Sequence, residues 1–240
     1  MTLDVKRALL KSLYRIYDET LQHHAKACHA GCSVCCTRNV LCTTLEADLV
    51  IDRLEKTNRL DLVERFAGNL PQRIARPSIT VNELAGYCLR REEPPEQDVD
   101  HAGGPCPILE DGMCPVYEVR PFGCRCLWSR EICGQHGEAL MDPVLISLNG
   151  IFEQTIEHMD KGGLYGNLLD LLSALVSVQN RDSYRSGRPL PQWPHLPATR
   201  PNPGFLVPPL HRPTVIKALN RLLEQRIGGI TFREVLRQIR

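Results

Sequence analysis

Four cysteines stand within nine residues in the stretch CHAGCSVCC, from Cys28 to Cys36. Cys32 and Cys35 have the Cys-x-x-Cys spacing, in which a short loop lets two sulfurs converge on one metal. Thiolates are soft ligands, so they favour zinc or an iron–sulfur cluster over calcium or magnesium, which prefer oxygen. The stretch therefore predicts one part of a metal site.

A second cysteine-rich stretch, CPILEDGMCPVYEVRPFGCRC, runs from Cys106 to Cys126. Prolines and glycines interrupt it, and its apolar residues follow neither a helix nor a strand period. Metal coordination can order such a segment, because the binding energy of a structural site becomes folding energy. Eight ligands could serve two four-sulfur centres, or one centre with spare thiols. The predicted metal ligands of the two stretches are Cys28, Cys32, Cys35, Cys36, Cys106, Cys114, Cys124 and Cys126.

Two arginines and three further cysteines lie near these stretches or beside predicted helices. Arg120 and Arg125 flank Cys124 and are candidate cofactor-binding residues that stabilise thiolates; ordinary surface arginines are the alternative interpretation. We interpret Cys42 and Cys88 as small buried hydrophobic residues, because neither has a cysteine at ligand-pair spacing. The role of Cys133 stays open, and nearby His136 could replace a sulfur ligand or lie on the surface.

The two stretches together resemble the YkgJ-type cysteine-cluster family. Its hallmark is Cys-x-x-Cys-x-x-Cys-Cys, followed by Cys-Pro, Cys-x-x-Tyr and Arg-Pro-x-x-Cys-Arg. The gap from Cys28 to Cys32 is one residue longer than in the hallmark. The resemblance implies a domain that chelates zinc or iron. The matching positions are Cys32, Cys35, Cys36, Cys106, Pro107, Cys114, Tyr117, Arg120, Pro121, Cys124 and Arg125.

Three functions are consistent with these thiols. The favoured one is a metal-binding protein that coordinates zinc or an iron-sulfur or iron centre through both cysteine clusters. The second is an iron-sulfur-dependent enzyme that modifies a protein or RNA, since similar cysteine patterns occur in flagellin lysine N-methylases. The third is a thiol redox module in which Cys35 cycles with Cys32. The sequence shows no glycine-rich nucleotide loop and no catalytic triad, so catalytic residues stay unassigned.

Composition favours a cytoplasmic protein without a membrane segment. The chain has 240 residues, of which 42% are hydrophobic, and its N-terminus lacks the apolar core of a signal peptide. The apolar stretch from Leu168 to Val178 contains Asp170 and is too short to span a bilayer. In a reducing compartment, clustered cysteines hold metals more often than they form disulfides, and an odd total of 11 excludes full pairing.

The elements that must position the cysteines are mainly α-helical, with irregular cysteine-rich metal-binding loops packed between helices. Apolar residues at helical spacing from Leu9 to Leu21 predict a first helix, and Thr43 with Glu46 has the spacing of a capping box that begins a second. We predict a loop from Arg91. Three further helices are predicted, over 60–71, 142–162 and 164–178. The second of these opens with Asp142 as a cap and Pro143 in its first turn.

Domain organisation follows composition. We predict a cysteine-cluster domain with the N-terminal helix over 1–135, a helical part packed on it over 136–188, and a Pro-rich extended segment with short basic helices over 189–240. Residues 181–240 hold eleven Lys or Arg against three Asp or Glu. This excess predicts contact with an acidic protein partner or with the acidic first part of the same chain. Nucleic acid is not favoured, because no series of stacking aromatics accompanies the charge.

Overall fold

The computed structural model describes residues 2–22, 24, 26–70, 73–97, 104–133, 139–227 and 229–238. The fold is mainly α, as predicted. Within the described ranges, no helix is long and apolar enough to cross a membrane. The helices of these ranges are α1 (Leu3–Leu21), α2 (Thr44–Lys56), α3 (Asp61–Ala67), α4 (Val81–Arg90), α5 (Phe122–Arg125), α6 (Pro143–Met159), α7 (Leu168–Val176), α8 (Val178–Arg185), α9 (Arg212–Leu223) and α10 (Phe232–Gln238).

Two short antiparallel pairs accompany the helices. Strand β1 (Leu41–Thr43) pairs with β2 (Tyr165–Asn167), and β3 (Arg226–Ile227) pairs with β4 (Ile230–Thr231). Short 3-10 turns lie at Tyr117–Val119 and Pro209–His211. Because β1 runs directly into α2 and β2 directly into α7, the first pairing sets these two helices side by side.

Local capping explains several helix starts. Thr43 and Glu46 form the predicted capping box, in which the Thr43 N–H donates to Glu46 Oε2 over 2.8 Å. The structure confirms Asp142 at the cap position of α6 and Pro143 in its first turn, but it shows no capping hydrogen bond. The Asp142 side chain makes no cap hydrogen bond, and its Oδ1 lies 3.6 Å from Arg130 Nη1 instead.

Two hydrophobic clusters meet at α2. Leu45 and Leu49 pack in the first cluster with α1, α6 and α9, while Val50 and Leu54 pack in the second with α3 and α7. All four leucine and valine side chains are almost completely buried. Each cluster combines residues from before and after position 135. Helix α2 therefore contributes side chains to both hydrophobic clusters and connects them.

The Pro-rich segment lies extended along β2 and α6. The Tyr165 N–H donates to Pro197 O over 2.8 Å, and the Thr199 N–H donates to Gly163 O over 3.0 Å. The buried Glu157 carboxylate accepts from the Arg200 N–H over 2.7 Å. The last two bonds satisfy backbone donors of the Pro-rich segment, and the first satisfies a donor of β2. The segment thus closes the outer edge of the β1–β2 pair.

Several arginines of the basic segment pair with acidic residues of the first part of the chain. Arg185 contacts Asp48 at 2.9 Å, and Arg200 contacts Glu83 at 2.9 Å. Arg221 on α9 contacts Glu19 on α1 at 2.8 Å. At these positions, positive charges of the basic segment are neutralised by acidic residues of the same chain.

Asp160, at the end of α6, gives the fold a pH-dependent stability. Burial raises the pKa of its carboxyl to about 7, although Lys6 and hydrogen bonds from Tyr184 and Leu45 oppose the rise. The folded chain therefore keeps a proton that the unfolded chain releases near pH 4, so stability falls as pH rises between these values. Asn at this position can still accept from the Leu45 N–H and can donate to the Tyr184 hydroxyl.

We expect Asp160→Asn to become more stable relative to wild type by about 1–2 kcal/mol between pH 5 and pH 7. Urea unfolding at both pH values measures the difference. Asp52→Asn is the control, because the pKa of Asp52 is lowered despite its partial burial, through Lys56 and Arg7, and its carboxylate stays ionised over that range. A difference for Asp160→Asn that does not change with pH would contradict the expectation.

Candidate metal centre

Seven of the eight predicted ligands line one cavity of about 110 Å³. Arg120 and Arg125 line it as well. One ordered water needs roughly 10–15 Å³ of such space. The cavity therefore has room for more than a single small ligand. Its cysteines are Cys28, Cys32, Cys35, Cys36, Cys106, Cys114 and Cys124.

The first cysteine stretch is folded into consecutive tight turns. The Cys32 N–H donates to His29 O over 3.1 Å, and the Cys36 N–H donates to Ser33 O over 3.0 Å. Gly31 adopts a φ of +91°, which a residue with a side chain rarely adopts, and a Cβ there would lie 3.2 Å from Met113 Sδ. The turns thus lay the first stretch against the second.

Backbone hydrogen bonds join the two stretches directly. The Cys106 N–H donates to Cys36 O over 2.9 Å, and the Arg38 N–H donates to Gly104 O over 3.3 Å. A tight turn then brings the chain back, because Glu110 and Met113 pair with each other immediately before Cys114. This geometry carries Cys106 and Cys114 to the cavity that Cys36 also lines.

Helix α5 carries the last cysteine of the cavity and lies unusually close to β1. A Cβ on Gly123 would stand 2.5 Å from Leu41 O, so only glycine permits this approach. The Phe122 N–H at the start of α5 donates to Glu46 Oε1 over 2.7 Å. These two contacts fix the position from which Cys124 faces the cavity.

Cys126, the remaining predicted ligand, does not line the cavity. Its thiol lies 3.7 Å from Gly123 O and 3.9 Å from Glu153 Oε1, and only 8% of the residue is exposed. Two residues correspond to roughly 200° of rotation on a helical turn, so Cys124 and Cys126 face opposite sides. The structure therefore separates these two cysteines.

The two candidate arginines differ in their contacts. Arg120 donates to Tyr117 O over 2.6 Å, packs over the Tyr117 ring and lowers the pKa values of Cys114 and Cys124 against the larger effect of burial. Arg125 is 6% exposed and donates to Asp18 over 2.6 Å and to Glu118 O over 2.7 Å. Arg120 thus acts on the thiols electrostatically, while Arg125 ties α5 to α1.

The thiols differ in acidity. Burial, followed by the nearby Cys106 and Cys114, raises the pKa of Cys124. A hydrogen bond with Cys36 raises the pKa of Cys35, and the same bond lowers the pKa of Cys36. The hydrogen bond between the neighbouring Cys35 and Cys36 therefore favours a charge on one of these two thiols.

The remaining cysteines divide by exposure. Cys42 on β1 is 2% exposed, which confirms its interpretation as a buried residue. The same interpretation of Cys88 is wrong, because this residue is exposed on α4. Cys133 is partly buried, and His136 lies outside the described residues.

The thiols line the cavity without forming a compact ligand set. In the described part of the chain, no three His, Cys, Asp or Glu side chains form a group that could hold a metal ion as they stand. Binding would require the thiols to move toward one another. No family model, curated protein or solved structure matches the chain significantly. The chemistry of the donors fits a soft metal, since seven thiols line the cavity.

The close approach at Gly123 generates a prediction. We expect Gly123→Ala to lower the free energy of unfolding by about 1–3 kcal/mol, because the added methyl group must push α5 away from Leu41. Gly150→Ala on α6 is the matched control. A Cβ there meets nothing within 4 Å, so helix propensity alone should stabilise that variant by up to about 1 kcal/mol. Denaturant unfolding tests both variants, and equal stability of the two would contradict the expectation.

Proposed function

We propose that this chain is a metal-binding protein that coordinates zinc or an iron–sulfur centre through its clustered cysteines. The observation that carries the proposal is the cavity itself, to which both cysteine stretches contribute thiols. Cysteines spread through a core as small hydrophobic residues would not gather at one cavity. Soft sulfur donors in this number favour zinc, iron or copper over hard cations.

The electrostatics of the cavity are compatible with bound thiolates. A centre with four thiolates carries a net charge of about −2 with zinc or with an oxidised cubane cluster. Arg120 lines the cavity and favours the ionised forms of Cys35, Cys114 and Cys124. Its guanidinium would partly neutralise the centre, so Arg120 is a supporting residue rather than a ligand.

Free thiols favour metal binding over a disulfide framework. All eleven cysteines are free, and a bridge between the adjacent Cys35 and Cys36 would be strained. Free thiols in such number are typical of a reducing compartment, which is why we place the protein in the cytoplasm.

We further infer that the chain is a YkgJ-type protein. With the exception of Pro107, all the positions that match the family hallmark line the cavity. Tyr117, Arg120 and Pro121 belong to the hallmark without being sulfur ligands, and each contributes to the same wall. A chance similarity of cysteine spacing would not place these residues around one cavity.

A bound metal would supply one of two kinds of chemistry. Zinc would cross-link the cysteine stretches as a closed structural centre, and an iron–sulfur cluster would supply a redox centre. The described residues offer the thiols as ligands, Arg120 as a source of positive charge and the ion pair between buried Arg125 and half-exposed Asp18 as a support for α5.

The first experiment measures zinc, iron and acid-labile sulfide in protein purified without oxygen or chelator. We expect stoichiometric zinc without sulfide, or iron with equal sulfide and a broad visible absorption. Protein that folds without any of these metals, and that does not take up added zinc or iron, would overturn the proposed function.

Substitution of single cysteines separates ligands from other cysteines. We expect Cys124→Ser to lower the metal content and to destabilise the fold, because a ligand in the cavity is lost. Cys88→Ser is the matched control, since Cys88 is exposed on α4 and should leave metal content and melting temperature unchanged. Metal analysis and thermal unfolding of both variants give the comparison, and equal metal content would contradict the assignment of Cys124.

A further inference from the structure

We propose that a second cavity, at the start of α1, binds a phosphate group, either as the free ion or as the monoester of a small molecule. The cavity has a volume of about 320 Å³ and lies where the first turn of α1 meets the turn after α6 and the end of α8. Of the described residues, none lines both this cavity and the cysteine cavity. The site is therefore independent of the metal binding proposed above. We call it the basic cavity, after Lys6, Lys161, Arg185 and Arg188 in its lining.

The lining of the basic cavity carries charge of one sign. Four of the ten described residues that line it are lysine or arginine, and none of them is aspartate or glutamate. The whole chain holds 29 Lys and Arg against 28 Asp and Glu, so a surface of average composition would carry both signs. A concave wall of one sign focuses the electric field and attracts the opposite charge. The basic cavity is thus a place at which an anion is stabilised.

Arg188 reaches the basic cavity through the turn that ends α8. Gly187 adopts a φ of +72°, which a residue with a side chain rarely adopts, and the Arg188 N–H donates back to Ser183 O over 2.9 Å. Within the described residues, the guanidinium donates only through Nε, to Ser186 Oγ over 3.0 Å, and makes no ion pair. Its four remaining N–H groups are available to a ligand in the cavity.

Lys6 lines the basic cavity from the first turns of α1. Its side chain is 15% exposed, and its ammonium group donates to Lys161 O over 3.2 Å. The ammonium lies 4.0 Å from Asp160 Oδ1, an oxygen that already accepts from the Tyr184 hydroxyl over 2.6 Å. Because an ammonium group has three donors, two of them remain for a ligand.

Arg185 adds a charge that its carboxylate partners do not fully cancel. It contacts Asp48 at 2.9 Å and Glu55 at 2.8 Å. Asp48 is shared with Arg7, and Glu55 is shared with Arg181. Among the described residues, the complete network has four cations and three carboxylates, namely Arg7, Lys56, Arg181, Arg185, Asp48, Asp52 and Glu55. One positive charge is therefore left in excess next to the basic cavity.

The volume of the basic cavity indicates how large a ligand it accepts. One ordered water needs roughly 10–15 Å³ of such space, so a phosphate with four oxygens needs about 40–60 Å³. A cavity of about 320 Å³ therefore holds a phosphate and leaves room for the rest of a small molecule. Phosphate suits the lining better than a carboxylate does, because a phosphate ester carries about −1.5 to −2 charges and presents three acceptor oxygens to lysine and arginine.

Calorimetric titration of the full chain at constant ionic strength tests the site with inorganic phosphate, ribose 5-phosphate and ribose. We expect both anions to bind at one site at millimolar concentration or below and to compete with each other, whereas ribose does not bind. The anion that binds more tightly shows whether the free ion or the ester is the ligand. Binding of neither anion, or binding of ribose as tight as that of ribose 5-phosphate, would overturn the proposal.

Arg188→Gln removes one charge of the basic cavity without removing a buried side chain, because Arg188 is exposed. We expect the affinity for the tighter anion to fall roughly tenfold, since a charged hydrogen bond is lost. Arg212→Gln is the matched control and should bind as wild type does, because Arg212 is exposed on α9 and lines neither cavity. Equal affinity of the two variants would overturn the assignment of the anion to the basic cavity.

Lys6→Gln provides a second test from α1. We expect a similar loss of affinity, and thermal unfolding without ligand establishes whether this variant folds. Metal content separates the basic cavity from the proposed function, because Arg188→Gln should keep the metal content of wild type. Wild type that binds phosphate but no metal would overturn the proposed function alone, and wild type that binds metal but no phosphate would overturn the basic cavity alone.

Discussion

The carboxylate of Glu46 joins the elements that surround the cysteine cavity. It is 2% exposed, and its oxygens accept hydrogen bonds from Thr43 at the start of α2, from the Tyr14 hydroxyl on α1 over 2.9 Å and from the Phe122 N–H of α5 over 2.7 Å. Burial raises the pKa of this carboxyl and the hydrogen bonds oppose the rise. A single side chain thus caps the central helix and anchors the helix that carries Cys124. Each oxygen accepts two hydrogen bonds, so loss of one donor would weaken the stabilisation of a buried carboxylate, which is costly.

The wall of the cavity depends on contacts that extend far from the cysteines. Helix α5 rests on Leu41 of β1, and β1 is paired with β2. Strand β2 is in turn held by the Pro-rich segment, whose Leu196 fills the space beside Gly166. Because these layers pack backbone against backbone, there is little room for side chains to adjust. The position of Cys124 is therefore set by residues that lie far before it and far after it in the sequence.

The sequence predicted local features better than contacts between distant segments. The capping box at Thr43 is encoded within four residues, and the apolar period of α1 needs only one helix face. The same signal stands at Thr80 and Glu83, which cap α4, although no helix is predicted from the sequence over 81–90. The bonds from Glu46 to Tyr14 and Phe122 join residues far apart in sequence, so no local pattern could reveal them. For the same reason, three-residue strands such as β1 escaped prediction.

For the candidate site, spacing predicted which cysteines gather, while orientation decided which of them face the cavity. Spacing alone does not distinguish Cys124 from Cys126 as ligands. Because α5 is helical, however, Cys126 faces the hydrophobic core while Cys124 faces the cavity. The contact of Cys28 with Ser129 had no spacing signal either, because the Ser129 N–H donates to the Cys28 thiol across about a hundred residues of sequence. The ligand set of a cysteine cluster is thus decided by short helices and turns, whose direction depends on the core beneath them. In this chain, that core is organised by α2 and by the Glu46 carboxylate at its start.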